Sequence, residues 1–308
     1  MMITPDLIGI DVAKHHLDIF DGANGQSSRL ANEAEAVGAW AARLAGRFVV
    51  FEATGVYDEA LRRALAAAGV SFARVNPTAA RSFARAAGFL AKTDLVDARM
   101  LAAMGSALRP RPAEPPGQAR ERLARLHKRR DQLVATRKQE RTRRREMTDA
   151  ELLADLDRHL AFLDADIKAL EARIDGLIAA ESGLKRTAGL LVSIPGVGKR
   201  TAACLLALLP ELGHRSPKTI AALAGLAPIN QDSGLKRGQR SIRGGRKRVR
   251  DGLYMAVLCL TRSKSQLGAA YQRLRSAGKP AKLAQIALAR KLLTIANAIV
   301  RDQTPYAA

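Results

Sequence analysis

"LIGIDVAKHHLDIF", residues 7–20, runs apolar for four residues and then meets Asp11. A run suited to burial ends on a carboxylate, although burying even a neutral polar group without a partner costs about 2–7 kcal/mol. Asp11 therefore sits at a solvated strand end, or something positive meets it. The stretch reads as a strand whose pattern shifts to alternation after Asp11. Asn24-Gly25 is a hairpin turn signal, with Leu30 closing a second strand. "RFVVFEATG" (47–55) repeats the opening pattern and ends on Glu52. Helical patterns over 33–45, 58–68, 78–86 and 92–104, with a short strand in "VSFARVNP" (70–77), complete an order of strands, hairpin and alternating helices. That order suits a mixed α/β sheet.

The charge balance is extreme. Lys and Arg number 51 against 29 Asp and Glu, a net charge of +22. Such an excess repels itself and calls for a polyanionic partner, nucleic acid before an anionic membrane surface. Aromatic residues make up only 4 %, too few for a module that stacks single-stranded bases on aromatic faces. Phosphate contacts to duplex DNA or folded RNA are expected instead. No apolar run approaches the roughly 20 residues of a membrane span, and no signal-peptide pattern opens the chain. Cys204 and Cys259 lie far apart in apolar helical patterns, so neither a zinc site nor a disulfide framework is expected. A cytoplasmic protein without a membrane partner is the expectation.

"LRPRPAEPPG" (108–117) carries four prolines and reads as the end of a domain. Residues 119–147 are helical, with twelve Lys/Arg against four Asp/Glu. Thr148 and Glu151 form a capping box, with Met147 and Leu152 as its hydrophobic staple. Leu156, Leu160, Leu163, Ile167, Leu170, Ile174 and Leu177 then alternate spacings of four and three, a heptad seam. It predicts a coiled coil, in cis with the 119–147 helix or across a dimer; one amphipathic helix packed on its own domain is the plainer alternative. Three segments follow: 1–117, α/β; 118–183, a basic helix and coiled coil; and 184–308, mainly helical.

Asp94 and Asp97, spaced i, i+3 in "KTDLVDARMLAAM" (92–104), project from one helix face. If the strands ending on Asp11 and Glu52 are neighbours, their carboxylates lie side by side. Four converging acids repel unless cations neutralise them, and all-oxygen ligation suits Mg²⁺ or Mn²⁺. Two such ions can stabilise both the attacking and the leaving oxygen of a phosphodiester. Each acid alone also has an ordinary structural reading, as a strand end, a helix cap or an Arg partner.

"IGIDVAK", "FEATGVY", "VNP" and "KTDLVDARMLA", in that order, resemble the N-terminal domain of the DEDD-type transposases of bacterial insertion sequences, the bridge-RNA-guided serine recombinases. That domain is similar to the Holliday-junction resolvase branch of the ribonuclease H fold. The resemblance implies that Asp11, Glu52, Asp94 and Asp97 are a catalytic, metal-binding tetrad.

"SIPGVGKRTAACLLALL", from Ser193, places Pro-Gly-x-Gly-Lys between helical stretches and resembles a helix-hairpin-helix element, whose turn meets phosphate through backbone N–H groups. Lys199 and Arg200 add charge there. A tight helix–helix turn that needs Gly for positive φ is the alternative. "AALAGLAPINQDSG" (221–234) and "RGQRSIRGGRKRVR" (237–250) resemble the C-terminal domain of the same family, in which a serine attacks DNA. Ser233 matches its position, whereas by chemistry alone Asp-Ser-Gly is a turn and Ser241, between arginines, competes. Lys236, Arg237, Arg240, Arg243, Arg246, Lys247, Arg248 and Arg250 are expected to hold phosphates. The resemblance further implies DNA strand transfer through phosphoserine, a guide RNA encoded by the element, and a dimer or tetramer holding donor and target DNA. A structure-specific nuclease that uses water and a non-catalytic nucleic-acid scaffold are the rival readings.

Overall fold

The computed structural model describes residues 3–89, 93–114, 117–230, 238 and 240–307. The chain divides into two compact units, Met1–Pro115 and Pro116–Ala308.

The first unit contains β1 (Leu7–Val12), β2 (His16–Asp21), β3 (Ser27–Ala31), α1 (Ala34–Ala41), β4 (Phe48–Glu52), α2 (Glu59–Ala67), β5 (Ser71–Val75), α3 (Pro77–Ala86) and α4 (Asp94–Leu108). Its five strands form one sheet in the order β3-β2-β1-β4-β5. β1, β2 and β3 pair antiparallel; β1, β4 and β5 pair parallel. This is the expected mixed α/β sheet, with one correction. The stretch 7–20 is two strands, because the chain turns at residues 13–15, where the Ala13 N–H donates to the His16 carbonyl at 3.0 Å. A single strand of that length would reach roughly 46 Å at about 3.3 Å per residue, far beyond the usual strand. Folding back buries both apolar halves, Leu7–Val12 and Leu17–Phe20, in one sheet.

Alternation along β1 divides the two faces. Ile8, Ile10 and Val12 face Val37 and Ala41 of α1 and Leu61 and Leu65 of α2, with Val49 and Phe51 beside them. Full burial of each such side chain contributes about 1.5–3 kcal/mol. Leu7 and Val50 face the other way, against Met100, Leu101 and Met104 of α4. Gly9 shares that face. A Cβ there would stand 2.0 Å from the Ala98 carbonyl oxygen and 2.5 Å from the Ala102 nitrogen. Gly9 thus lets the small-residue side of α4 lie directly on the sheet, and this crossing aims the first turn of α4 at the far end of β1.

The second unit is helical: α5 (Gln118–Glu146), α6 (Ala150–Ala180), α7 (Ser182–Val192), α8 (Lys199–Leu208), α9 (Pro217–Leu223), a two-strand ribbon of β6 (Pro228–Ile229) and β7 (Ser241–Ile242), then α10 (Lys247–Leu260), α11 (Gln266–Ser276) and α12 (Ala281–Asp302). α5 and α6 form an antiparallel hairpin. Its direction shows in the ladder of ion pairs Arg144–Asp157, Arg137–Asp164 and Arg130–Glu171. The heptad residues Leu163, Ile167, Leu170 and Ile174 are buried in one core with Leu123, Leu126 and Leu133 of α5. That core continues through Leu191, Leu205, Leu253 and Leu292, so segment 118–183 shares its interior with 184–308. The cap of α6 is Asp149 rather than Thr148: its carboxylate accepts from the Glu151 and Leu152 N–H groups at 2.9 and 3.1 Å. A carboxylate also suits the positive end of the helix dipole better than a hydroxyl.

α12 is long and apolar enough by length and composition to cross a membrane. Its Leu288, Leu292, Leu293 and Ala296 are instead buried in the core of the second unit.

Candidate functional site

Register decides which acids meet in the first unit. β1 and β4 are parallel with Ile10 beside Phe51, so one residue on, Asp11 and Glu52 end adjacent strands. Both belong to the face that α4 covers, two residues beyond Gly9 and Val50. β1 and β2 are antiparallel with Asp11 opposite Asp18, which puts a third carboxylate on that face. Thr93 caps α4, its Oγ1 accepting from the Val96 N–H at 3.3 Å, so Asp94 and Asp97 occupy the first turn. Asn32 ties the surrounding loops together, its Nδ2 donating to the carbonyls of Ala13 and Tyr57 at 2.9 Å each.

Burial, and then the Asp97, Asp94 and Asp18 carboxylates, push Asp11 up to about 6. Three of the four acids predicted from the sequence, Asp11, Asp94 and Asp97, therefore share one electrostatic environment, and Glu52 stands next to Asp11 in the sheet. Asp11, Glu52 and Asp97 are half-buried and Asp94 is exposed, so the cluster opens to solvent.

The sequence reading missed Asp18, His16 and Arg29. Asp18 is fully buried, accepts from Arg29 Nε at 2.8 Å, and lies 3.2 Å from His16 Nε2. Asp94 Oδ2 lies 3.8 Å from the same imidazole nitrogen and 3.6 Å from Arg29 Nη2. The available signal was a charged residue inside the apolar half-strand "HLDIF": a carboxylate there needs partners.

In the second unit the predicted phosphate contacts separate into two groups. Lys199, Arg240 and Arg243 are exposed. Arg200 is held by Asp175. Arg246 donates to Glu211 at 2.6 Å, Arg248 to Asp131 at 2.7 Å, and Arg250 to the Gly225 and Gly244 carbonyls at 3.2 and 2.8 Å. Lys247 pairs with Asp251 at 2.7 Å on the surface. Arg200, Arg246, Arg248 and Arg250 thus knit the unit together, a correction to their reading as phosphate ligands alone. Lys236, Arg237 and Ser233 lie outside the described residues. Ser241 is exposed on β7, in register with Ile229. The Pro-Gly-x-Gly turn joins α7 to α8 with Gly196 at φ 84°, and a Cβ there would meet Leu260 Cγ at 2.6 Å. This turn therefore needs glycine for both conformation and space.

Asp131 gives a pH prediction. Burial alone would raise its pKa, but His127 and Arg248 outweigh it and hold the carboxyl at about 2. A group depressed below its ordinary value of 3.8 stabilises the fold above about pH 4, and that contribution is lost as pH falls towards 2. Asp131→Asn is expected to lower stability at pH 7 by roughly 1.5–3 kcal/mol, the scale of hydrogen bonds to a charged group. Denaturant melts from pH 7 to pH 2 should show the difference from the parent chain shrinking across the lower part of that range.

Comparison with known proteins agrees with this architecture. Residues 188–272 match the transposase IS116/IS110/IS902 family, and residues 8–151 match the DEDD transposase model of the IS110 group. The pilin gene-inverting protein of Moraxella lacunata is 31 % identical over 262 residues, covering 84 % of this chain and 81 % of the relative. The protein of the same description from Moraxella bovis matches to the same extent. The insertion element IS110 uncharacterized 43.6 kDa protein of Streptomyces coelicolor is 33 % identical over 142 residues, 45 % of this chain and 34 % of that protein. The DEDD match implies a ribonuclease H-like fold for the first unit, in keeping with its sheet. The chain therefore belongs to the IS116/IS110/IS902 family of DEDD transposases, and it is an enzyme that recombines DNA.

Proposed function

We propose that the acid cluster of the first unit is the Mg²⁺ site of DNA strand cleavage and rejoining, with Mn²⁺ able to replace Mg²⁺, and that Ser233 is the nucleophile. The observation that carries the metal reading is the crowding of Asp11, Asp94, Asp97 and Asp18, which pushes Asp11 up to about 6. Ionised together, these groups repel one another, and a divalent cation removes that repulsion. The oxygen donors Asp11, Glu52, Asp94 and Asp97 fit a hard cation and would hold it. When bound, such ions stabilise charge on the attacking and leaving oxygens of a phosphodiester.

The serine assignment rests on the family resemblance around "QDSG". In the step it implies, the seryl oxygen forms a bond to phosphorus, the bond from phosphorus to the sugar oxygen breaks, the seryl proton departs, and the leaving oxygen takes up a proton. Rejoining reverses this with a hydroxyl of the exchanged strand. The exposed Lys199, Arg240 and Arg243 hold the phosphate backbone. The helix-hairpin-helix reading of the α7–α8 turn belongs to the same proposal. A guide RNA and a dimer or tetramer complete it: base pairing then reads the sequence while the protein grips the backbone.

The test is incubation with Mg²⁺ and end-labelled DNA carrying an element end, resolved on denaturing gels. The parent chain should give protein-linked DNA, Ser233→Ala none, and Ser241→Ala an undiminished amount. Normal cleavage by Ser233→Ala without any adduct identifies water as the nucleophile and overturns the serine assignment. RNA extracted from the purified protein tests the guide: a discrete structured transcript supports it, and its absence from recombination-competent protein refutes it.

A further inference from the structure

Beside the acid tetrad, β2 presents a second set of donors that the tetrad does not include. His16 and Asp18 are two residues apart on one face of β2, the face that carries Phe20 against Ala98 and Ala102 of α4. Asp18 stands opposite Asp11 in the sheet. One ligand atom each from His16, Asp18 and Asp94 lies within 4.8 Å of the others. His16 Nε2 is 3.2 Å from Asp18 Oδ2 and 3.8 Å from Asp94 Oδ2. Donors held about 2.0–2.2 Å from one ion stand roughly 3–3.5 Å from each other, so little movement is needed to close on a cation.

The independent observation is a pair of stranded atoms. His16 Nε2 and Asp18 Oδ2 are both sealed from solvent, and neither has a hydrogen-bond partner. Asp18 is fully buried. Buried polar groups almost always find partners, and an exception calls for an explanation such as an ion. The other oxygen, Asp18 Oδ1, is taken by Arg29 Nε at 2.8 Å. That bond orients Oδ2 towards His16, as an outer-shell partner orients a metal ligand.

We infer that His16, Asp18 and Asp94 form a second metal position adjoining the tetrad, distinguished by its imidazole nitrogen. This rests on the reading of the acid cluster as a metal centre and extends it. The donor set determines the class of ion. Carboxylates alone suit Mg²⁺, whereas imidazole with carboxylates suits a transition-series divalent ion such as Mn²⁺ or Zn²⁺. Asp94, shared by both positions, links them.

The experiment uses the full chain and Mn²⁺ alone as the probe. Titration followed by the free-ion paramagnetic signal counts bound ions, and pulsed electron paramagnetic resonance detects ¹⁴N coupled to bound Mn²⁺. The parent chain is expected to bind two ions with a nitrogen coupling. His16→Gln should bind one fewer and lose the coupling; His15→Gln, altering the exposed neighbour, should keep both. Nitrogen-free Mn²⁺ in the parent chain, or a coupling that survives His16→Gln, overturns the inference while leaving the tetrad reading intact. Failure of the parent chain to bind Mn²⁺ at all overturns both. The parent-chain spectrum decides the question even if the variant does not fold.

Discussion

Asp11→Asn is expected to bind DNA as well as the parent chain does and to lose strand cleavage by more than about 100-fold. Replacing residues that merely support metal ligands costs about 10–100-fold, and Asp11 is proposed as a ligand itself. Binding survives because the phosphate contacts assigned to the second unit are untouched. The stability of the same variant moves the other way. Burial and three neighbouring carboxylates push Asp11 up to about 6 from 3.8. A group raised in this way stabilises the fold below about pH 4, and the contribution disappears as pH rises through about 6. In chelator at pH 7.5 the ionised group is therefore a burden, and Asn should be more stable by on the order of 1–3 kcal/mol. That advantage should vanish at pH 4 and shrink when Mg²⁺ is added to the parent chain. Fluorescence of Trp40, the single tryptophan, follows the melt, because its side chain packs on the core of the first unit. An active Asp11→Asn enzyme, or one that is less stable in chelator at pH 7.5, contradicts the assignment.

Gly9→Val is expected to disrupt the first unit. A Cβ at Gly9 would meet backbone atoms of α4 at 2.0 and 2.5 Å, and backbone cannot turn aside as a flexible side chain does. α4 must lift, which uncovers Leu101 and Met104 and carries Asp94 and Asp97 away from Asp11. Overpacking of this kind costs about 1–3 kcal/mol where the neighbours can adjust; here the expected loss is at the top of that range or beyond it. The Trp40 melt should shift to lower denaturant, and Mn²⁺ binding should weaken by more than tenfold even where the variant remains folded. A parent-like melt with unchanged Mn²⁺ affinity would falsify the role given to the Gly9 crossing.

Much of the first unit is legible in the sequence. Buried runs ending on Asp11 and Glu52, the Asn24-Gly25 turn and the i, i+3 pair Asp94 and Asp97 are local patterns, and local patterns follow from strand and helix periodicity. The basic helix and the heptad seam of α5 and α6 are legible for the same reason. Legibility stops where a residue's meaning depends on a distant partner. Arg248 and Arg243 look alike in the chain, yet Arg248 is engaged by Asp131, 117 residues away, while Arg243 is exposed. Thr148 and Asp149 are adjacent and both can cap a helix; only the path of the chain into α6 selects Asp149.

By itself, then, the sequence determined that this is a strongly basic chain with a mixed α/β part, a long helical part and four acids placed for one site. Tertiary structure alone decided that residues 7–20 fold back on themselves, and with that which groups stand opposite Asp11. Side-chain periodicity sets which face a residue takes, but the turn and the register set its neighbours across the sheet. The turn at 13–15 therefore brings His16 and Asp18 into the acid cluster, although nothing in their local spacing distinguishes them from ordinary strand residues.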